Sequence, residues 1–249
     1  PDDRLPTRGD AAVDAARVEV RAIRAAAADA TAHLEGDAAL WERARQQAPT
    51  PFVRDHVQQV IADHAARHGL ALSRFRVMPP PALPPAPPAA VHPAAPYPVE
   101  PEDALVEVPI RFVLTPLHAG RIEAFVRSLP EAELVVIVRA IERGADFVEV
   151  EASAASFRAF DPAPRHALEL PAPEALGVAL DSPAYRELDA EVRATNEALA
   201  ALSEARLRRI RLKAWKQARA RSEANAATIA LPPPARPGGA ATRTEAENR

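Results

Sequence analysis

The chain has 249 residues, with 31 lysine and arginine residues against 34 aspartate and glutamate residues, so its formal net charge is −3. This balance argues against a nucleic-acid partner for the chain as a whole. Because there are no cysteines, disulfides, thiolate zinc sites and thiol nucleophiles are excluded. Hydrophobic residues make up 48% of the chain and aromatic residues only 4%. Much of the apolar content is alanine, which buries little area, so we expect a small core with extended helices or linkers.

The segment from Asp10 to Ala48 is rich in alanine and predicts a long helix, which we assign to residues 1–48. Its apolar positions recur at alternating intervals of three and four, as in a coiled-coil seam: Val13, Ala16, Val20, Ile23, Ala27, Ala30 and Leu34. The coiled-coil interface is predicted at Val13, Val20, Ile23 and Leu34. The alternative is a single amphipathic helix packed on its own domain, and Gly36 is a candidate break.

A second helix and a short strand come next. Thr50 is a plausible N-cap, and Gly69 is a natural left-handed terminator. Between them, apolar residues follow at helical spacing: Val53, Val57, Val60, Ile61 and Ala65. Residues 70–77 predict a strand whose alternation slips by one position before Phe75.

A proline-rich insertion at residues 79–104 separates this strand from the next. Proline lacks a backbone donor, so we expect polyproline II and coil there rather than helix or sheet. We interpret the insertion as an extended loop that lengthens a hairpin. The alternative is a ligand for a proline-binding groove, for which His92 is the one basic candidate inside the segment.

Residues 105–160 carry the clearest pattern, which reads strand, helix, strand, strand. The first strand has apolar residues at alternate positions: Val106, Val108, Ile110, Phe112 and Leu114. Because Pro109 has no amide hydrogen, it predicts an edge strand or a strand start. Thr115-Pro116 predicts the start of a helix.

The apolar residues of that helix follow at helical spacing, and Pro130 ends it: Ile122, Phe125, Val126 and Leu129. The β-branched run from Leu134 to Ile141, a turn at residues 143–146 and the alternating stretch from Phe147 to Phe157 predict a β-hairpin.

The C-terminal part begins with a proline-punctuated linker at residues 161–182 and continues as a basic amphipathic helix at 183–228. Residues 229–249 are rich in proline and glycine and predict a disordered tail. The helix carries a cluster of cations, for which one interpretation is contact with phosphates, anionic lipid headgroups or an acidic partner: Arg206, Arg208, Arg209, Arg211, Lys213, Lys216 and Arg219. The alternative is a solvated face, or pairing with acidic residues of the N-terminal helix.

Few residues suggest catalysis or metal binding. His64 and His68 are four apart and share a helix face, but two imidazoles without a third ligand are more typical of solvated helix-end histidines. Glu149 and Glu151 share a strand face, which is ordinary patterning for the solvent side of a sheet. No GxSxG, P-loop, GxGxxG or HExxH pattern occurs. We therefore predict no catalytic, cofactor-binding or metal-binding residues, no enzymatic activity and no small-molecule substrate.

Three features together resemble the PilO family and its type II secretion relative GspM. They are the heptad helix, the helix–strand junction at Gly69–Phe75, and the strand Val108–Phe112 followed by a helix and a hairpin. The resemblance covers about residues 10–160. The proline-rich insertion and residues 161–249 have no counterpart in the usual plan of that family.

The resemblance implies an α+β fold class: a ferredoxin-like (αββαββ) four-stranded antiparallel sheet with two helices, within residues 49–160, flanked by long N-terminal and C-terminal helices. It implies a structural scaffold of the inner-membrane platform of a type IV pilus or secretion machine. The expected partners are a second copy or a related platform protein. The expected location is the periplasm, with an anchor preceding Pro1, and the cytoplasm is the alternative.

Overall fold

The computed structural model describes residues 8–34, 36, 38–79, 104–158, 167–229 and 232. Most of the predicted insertion, the first part of the predicted linker and nearly all of the predicted tail lie outside the described residues. The described residues fall into two compact units. The first takes those within 1–44, 96–104 and 158–214, and the second takes those within 45–95, 105–157 and 215–249.

Helices and strands follow one another in an order that agrees with the predicted α+β class. In the described part of the chain they are α1 (Arg8–Leu34), α2 (Ala38–Gln47), α3 (Arg54–Arg67), β1 (Ala71–Val77), β2 (Leu105–Thr115), α4 (Ala119–Ser128), β3 (Val136–Arg143), β4 (Val148–Phe157), α5 (Pro173–Leu176) and α6 (Pro183–Thr228). A short 3-10 helix follows α4. The four-stranded antiparallel sheet and the long helices near both ends of the sequence are confirmed.

The four strands form one sheet in the order β1-β2-β4-β3, and every neighbouring pair is antiparallel. Strands β2 and β3 are both antiparallel to β4, so they run parallel to each other with β4 between them. Helix α4 connects them along the chain. This arrangement is a split βαβ unit.

The core of the second unit forms where α3 and α4 cover one face of the sheet. The buried side chains are those that the two periodicities single out: Val57, Ile61 and Ala65 on α3; Ile122, Phe125 and Val126 on α4; Ile110, Phe112 and Leu114 on β2; and Val148, Val150, Ala152 and Ala154 on β4. The predicted alternation of β2 is buried only in its second half. Val106 is 36% exposed and Val108 is half-buried.

Pro109 does not mark an edge strand, because β2 is a central strand between β1 and β4. The Met78 N–H donates to the Pro109 carbonyl at 2.9 Å. The nitrogen of Pro109 therefore faces the β1 side at the point where β1 has just ended at Val77. The central strand β2 tolerates a proline at this position because β1 has no strand residue there that would accept a hydrogen bond from residue 109.

Neither predicted threonine cap is a cap. Thr115 is the last residue of β2 and pairs with Ala71. Helix α4 instead begins after His118, whose Nδ1 accepts from the Arg121 N–H at 3.3 Å. Similarly, the hydroxyl of Thr50 donates to the Phe157 carbonyl at 2.8 Å. Both threonines therefore belong to the sheet or contact its end, since the chain enters each helix a few residues later than predicted.

The junction between α3 and β1 has the predicted geometry. Gly69 follows α3 with φ of +66°, the left-handed conformation that glycine adopts without strain. The register of β1 against β2 shifts between Leu72 and Arg74. This β-bulge is the physical form of the predicted slip, and it returns Phe75 to the buried face.

The C-terminal part of α6 closes the β3 edge of the sheet. The Ser222 hydroxyl donates to the Val136 carbonyl at 2.6 Å, and the Asn225 amide donates to the Val138 carbonyl at 2.9 Å. Glu107 of β2 pairs with Arg221 of α6 at 2.6 Å. The bonds from Ser222 and Asn225 satisfy two carbonyls of β3 that an edge strand would otherwise leave without a partner.

The N-terminal segment contains two helices where the alanine pattern predicts one. Helix α1 ends at Leu34 and α2 begins at Ala38. The predicted break at Gly36 lies between them, because glycine loses more conformational freedom in a helix than other residues do.

The described part of the predicted linker, residues 167–182, packs against α6. The side-chain amide of Asn196 on α6 accepts from the Leu168 N–H at 2.7 Å and donates to the Leu168 carbonyl at 3.1 Å. The Tyr185 hydroxyl donates to the Pro171 carbonyl at 2.9 Å. These contacts fasten the segment to α6 within the first unit.

Truncation of Phe112 tests the core of the second unit. Phe112 is fully buried and its ring meets that of Phe125 edge-on, with centroids 6.2 Å apart. We expect Phe112→Ala to lower the free energy of unfolding by about 3–5 kcal/mol, because it leaves a cavity. Urea denaturation followed by circular dichroism measures the change.

Val106→Ala is the matched control on the same strand and should change the free energy of unfolding by less than about 1 kcal/mol. Equal effects of the two substitutions would contradict this description of the core.

Candidate functional site

The predicted coiled-coil seam of α1 contacts α6 of the same chain at its N-terminal end. Val13 is fully buried and forms a cluster with Leu188 and Val192. Farther along, the Thr195 hydroxyl lies 3.3 Å from the Val20 carbonyl. The residue numbers rise together on both helices, so α1 and α6 run parallel here. The 4–3 pattern of α1 therefore meets, at this end, a 4–3 pattern of α6 that runs through Leu188, Val192, Thr195, Leu199 and Leu202.

Ion pairs flank the contact between α1 and α6. Arg17 reaches Glu187 at 2.8 Å, while Arg21 and Arg24 reach Glu191 at 2.8 and 3.0 Å. The hydrogen bond from Arg21, together with the nearby positive charges, lowers the pKa of the Glu191 carboxyl. The arginines of α1 thus pair with acids of α6, whereas the sequence suggested that basic residues of α6 would pair with acids of the N-terminal helix.

The C-terminal end of the predicted seam is less covered. Ile23 and Leu34 are both half-buried, and neither belongs to the cluster that Val13 forms with α6. Ala27, between them on the predicted seam, is buried, whereas Ile23 and Leu34 retain part of their apolar surface, as Val20 does.

Three of the predicted contact cations on α6 are held by contacts within their own unit. The Arg208 guanidinium lies over the Trp41 ring at 5.7 Å, and Arg211 donates to the Arg158 carbonyl at 2.8 Å. Burial lowers the pKa of Arg211. Arg219 pairs with Glu223 at 2.9 Å and lies 5.7 Å from the Trp215 ring centroid.

The remaining predicted cations are exposed: Arg206, Arg209, Lys213 and Lys216. Within the described part of the chain, none of them has an ion-pair partner. Arg206, Arg209 and Lys213 belong to the first unit and are separated by three and four residues, so they share one face of α6. We call these three residues the basic stripe. They continue the 4–3 seam that is apolar up to Leu202.

Of the seven predicted cations, Arg208, Arg211 and Arg219 have partners, which leaves Lys216 and the basic stripe. Which arginines remain available depends on the aromatic and carbonyl partners that the fold supplies. The spacing of residues 206, 209 and 213 is visible in the sequence. That these three form a separate exposed face is clear only from the structure, in which Arg208 and Arg211 have other partners.

A histidine–serine cluster joins α3 to α4 in the second unit. The Nε2 atoms of His64 and His68 lie 2.9 and 2.8 Å from the Ser128 hydroxyl. That hydroxyl donates to the Phe125 carbonyl at 3.0 Å. A hydroxyl has one proton, so both imidazoles donate to Ser128. The Ser128 hydroxyl therefore joins the end of α4 to both histidines of the α3 segment.

Burial, followed by the nearby His68, lowers the pKa of His64. The geometry gives the reason: His64 is 6% exposed, and its Nδ1 has no hydrogen-bond partner among the described residues. Protonation would place a charge and an unpaired N–H in a buried position. The sequence identified the two histidines, but Ser128 is sixty residues away from His68 and no local pattern connects them.

The two carboxylates that share a face of β4 are joined by one arginine. Arg111 on β2 pairs with Glu149, with its Nε 3.4 Å from the carboxylate, and also with Glu151. The pairing is cross-strand, since Arg111 is opposite Glu151 in the register. One guanidinium therefore bridges both carboxylates and joins β2 to β4.

Among the described residues, no group of three or more His, Asp or Glu side chains is placed to hold a metal ion. No helix in that part of the chain is long and apolar enough to cross a membrane.

No family model, no curated protein and no solved structure matches the chain. The resemblance to PilO-like proteins therefore stays a prediction that rests on the residues quoted for it. The contacts described above are the basis for any functional argument.

The pKa of His64 predicts how stability depends on pH. A histidine has a pKa near 6.5 when unfolded, and burial lowers the folded value. The unfolded state then binds more protons, so the free energy of unfolding should fall as pH decreases below about 6.5. Thermal unfolding between pH 7.5 and pH 5 should show a smaller loss for His64→Gln than for the wild type.

His56→Gln is the matched control, because His56 is exposed on the same helix. Its pH profile should follow that of the wild type. A His64→Gln profile parallel to the wild type would contradict the assignment of this pH dependence to His64.

Proposed function

We propose that this protein is a non-enzymatic assembly scaffold, a PilO-like or GspM-like component of the inner-membrane platform of a pilus or secretion system. It works through a coiled-coil contact and a ferredoxin-like domain. The observation that carries the proposal is the combination, in one chain, of a heptad-patterned N-terminal helix with a four-stranded sheet built around a split βαβ unit.

The strand order supports a ferredoxin-like assignment in the order αββαββ. One split βαβ unit consists of β2, α4 and β3 around β4. Strands β1 and β4 are both antiparallel to β2, so they run parallel with β2 between them, and α3 leads into β1. A ferredoxin-like fold contains two split βαβ units. Joining the end of β4 to the start of α3 would produce the second one.

The polar clusters of the second unit support a role without catalysis. Arg111 occupies both carboxylates of β4, and the two imidazoles donate to Ser128. In each cluster the groups bind one another and hold elements together. These residues have the character of structural contacts between strands and between helices.

The first unit supplies the surface for assembly. Its parallel helices α1 and α6 are held together by Val13, Leu188 and the flanking ion pairs. Ile23 and Leu34 continue the α1 seam with partly exposed apolar surface. A helix of a second copy, or of a related platform protein, would bury that surface in the manner of a coiled coil.

The proposal places the protein in the periplasm, with a membrane anchor preceding Pro1. An apolar run of ~20 residues encoded upstream would support this placement, since that length spans a bilayer. An upstream sequence without such a run would favour the cytoplasmic alternative.

Charge placed in the proposed seam tests the assembly function. We expect the full chain to dimerise at high concentration. The double substitution Ile23→Glu and Leu34→Glu should raise the dimer Kd by roughly a hundredfold or more, because burying an unpaired carboxylate costs several kcal/mol. Sedimentation velocity over a concentration series measures the change.

Val18→Glu is the control, because Val18 is on the same helix and is 68% exposed. It should leave the Kd within about threefold. A wild-type chain that stays monomeric at high concentration contradicts homodimerisation, as does a dimer that is insensitive to the double substitution.

A second candidate function is binding to phosphate-bearing polyanions, either nucleic acid or anionic lipid. The observation that favours it is the basic stripe, whose three cations are exposed, share one face and have no ion-pair partner in the described part of the chain. Cations arranged in this way release counterions when they meet phosphates.

A salt titration distinguishes this candidate from the scaffold function. If duplex DNA is bound, log K should fall linearly with log salt concentration, and charge reversal at Arg206, Arg209 and Lys213 should reduce the slope by up to ~0.9 per contact. Vesicles with and without phosphatidylserine test lipid in parallel. Fluorescence anisotropy and vesicle co-sedimentation are the measurements.

Charge reversal at Arg43, Arg54 and Arg67 is the control, since these residues are exposed and change the net charge equally. Absence of binding at low salt would remove this candidate.

A further inference from the structure

The two edges of the sheet differ in how they are closed. On β3, side chains of α6 bond to the Val136 and Val138 carbonyls. On β1, no group among the described residues bonds to the outward-facing backbone. Among the described residues, one edge of the sheet is therefore open to a further strand.

The register identifies the open backbone groups of β1. The Met78 N–H donates to the Pro109 carbonyl, so this is a hydrogen-bonded position of the β1–β2 ladder. Such positions alternate in antiparallel pairs. The backbone N–H and C=O groups of Arg74 and Arg76 therefore bond to β2. Those of Phe75 and Val77 point away from β2.

The side chains of β1 divide between two faces. Phe75 is buried in the core, and Val77 on the same face remains 36% exposed. Arg74 and Arg76 are exposed on the opposite face. Within the described part of the chain, neither guanidinium has a hydrogen-bond or ion-pair partner.

A groove of about 420 Å³ lies along these arginines on the outer face of the sheet. Its charged lining residues are Arg74, Arg76, Arg111, Asp146 and Glu149. Arg111 pairs with Glu149 and Glu151 of β4, so Arg74 and Arg76 are the lining cations that have no carboxylate partner among the described residues. The free cations and the open backbone edge therefore belong to the same short strand.

We propose that β1 binds an extended acidic segment of a partner protein by strand addition. The backbone of that segment pairs with Phe75 and Val77. Side chains two residues apart on an added strand point to the same face, so two carboxylates of the segment lie beside Arg74 and Arg76. The residues between them lie on the face of Val77 and are apolar. The recognised pattern is acidic–apolar–acidic in an extended conformation.

A second copy of this chain is a poor occupant of the same edge. Pairing β1 with β1 of another copy would bring arginines close to arginines, and like charges across strands are destabilising. The bulge between Leu72 and Arg74 also distorts the edge against a flat partner. These features exclude self-pairing but leave the edge complementary to an acidic strand.

This interaction is separate from the seam of α1 and from the basic stripe. It uses residues of the second unit alone, and it does not depend on the resemblance to PilO-like proteins. Its failure would leave the proposed scaffold function intact, and the reverse also holds.

The probe is a short peptide with blocked ends in which glutamate alternates with valine. Isothermal titration calorimetry with the full chain should detect binding. The double substitution Arg74→Glu and Arg76→Glu should weaken binding at least about tenfold, because it replaces two attractions with two repulsions. The control Arg54→Glu and Arg67→Glu makes the same charge change on α3 and should stay within about twofold.

Two further measurements separate strand addition from simple charge attraction. The same peptide with methylated backbone nitrogens keeps its carboxylates but cannot donate to β1, so it should not bind. Hydrogen exchange should show that the Phe75 and Val77 amides become protected when the unmodified peptide is added. Equal binding of the methylated peptide, or unchanged exchange at these amides, would overturn the proposal.

Other occupants of the edge would show themselves in the same experiments. Slow exchange of the Phe75 and Val77 amides without peptide would mean that the chain itself covers the edge, and the proposal would be wrong. Self-association abolished by Arg74→Glu and Arg76→Glu would indicate a second copy and would equally overturn it.

Discussion

The pairing of β2 with β4 is the interaction on which the second unit depends. These two strands lie at the centre of the sheet and pair from Leu105 with Phe157 to Leu114 with Val148. The pairing aligns the apolar residues of both strands on the face that α3 and α4 cover. Strand register has a period of two, so a slip of one residue would turn that entire apolar set towards solvent. The positions of α4, the two edges and the Arg111 cluster all follow from this register.

Helix α6 takes part in both units with different residues. Up to Ala214 it belongs to the first unit, where Leu188 and Val192 meet Val13 of α1. From Trp215 it belongs to the second unit, where Ser222 and Asn225 bond to the β3 edge. Its long amphipathic pattern therefore serves two sets of contacts, because the buried face of the helix changes along its length.

The distribution of paired and unpaired charge separates the structural residues from the candidates for partner binding. Arg17, Arg111 and Arg221 have carboxylate partners within their own units. The basic stripe on α6 and the two arginines of β1 do not, within the part of the chain that the structure describes. Exposed charges without partners cost little on their own and gain most when an oppositely charged surface arrives. The second candidate function and the proposed strand addition rest on these two surfaces.

The sequence by itself determined the local structure: the α+β class, the strand–helix–strand–strand order after residue 105, the glycine turn at Gly69 and the slip in β1. These follow from periodicities of two and 3.6 residues and from backbone preferences, which act over a few neighbours. It misjudged Pro109, Thr50 and Thr115, because the role of each depends on a strand or carbonyl far away in the chain. Only the tertiary structure decided that the α1 seam meets α6, that Ser128 joins two histidines, and which cations remain available. A heptad pattern indicates that a helix has an apolar face that becomes buried. Which surface covers that face is decided by the tertiary packing.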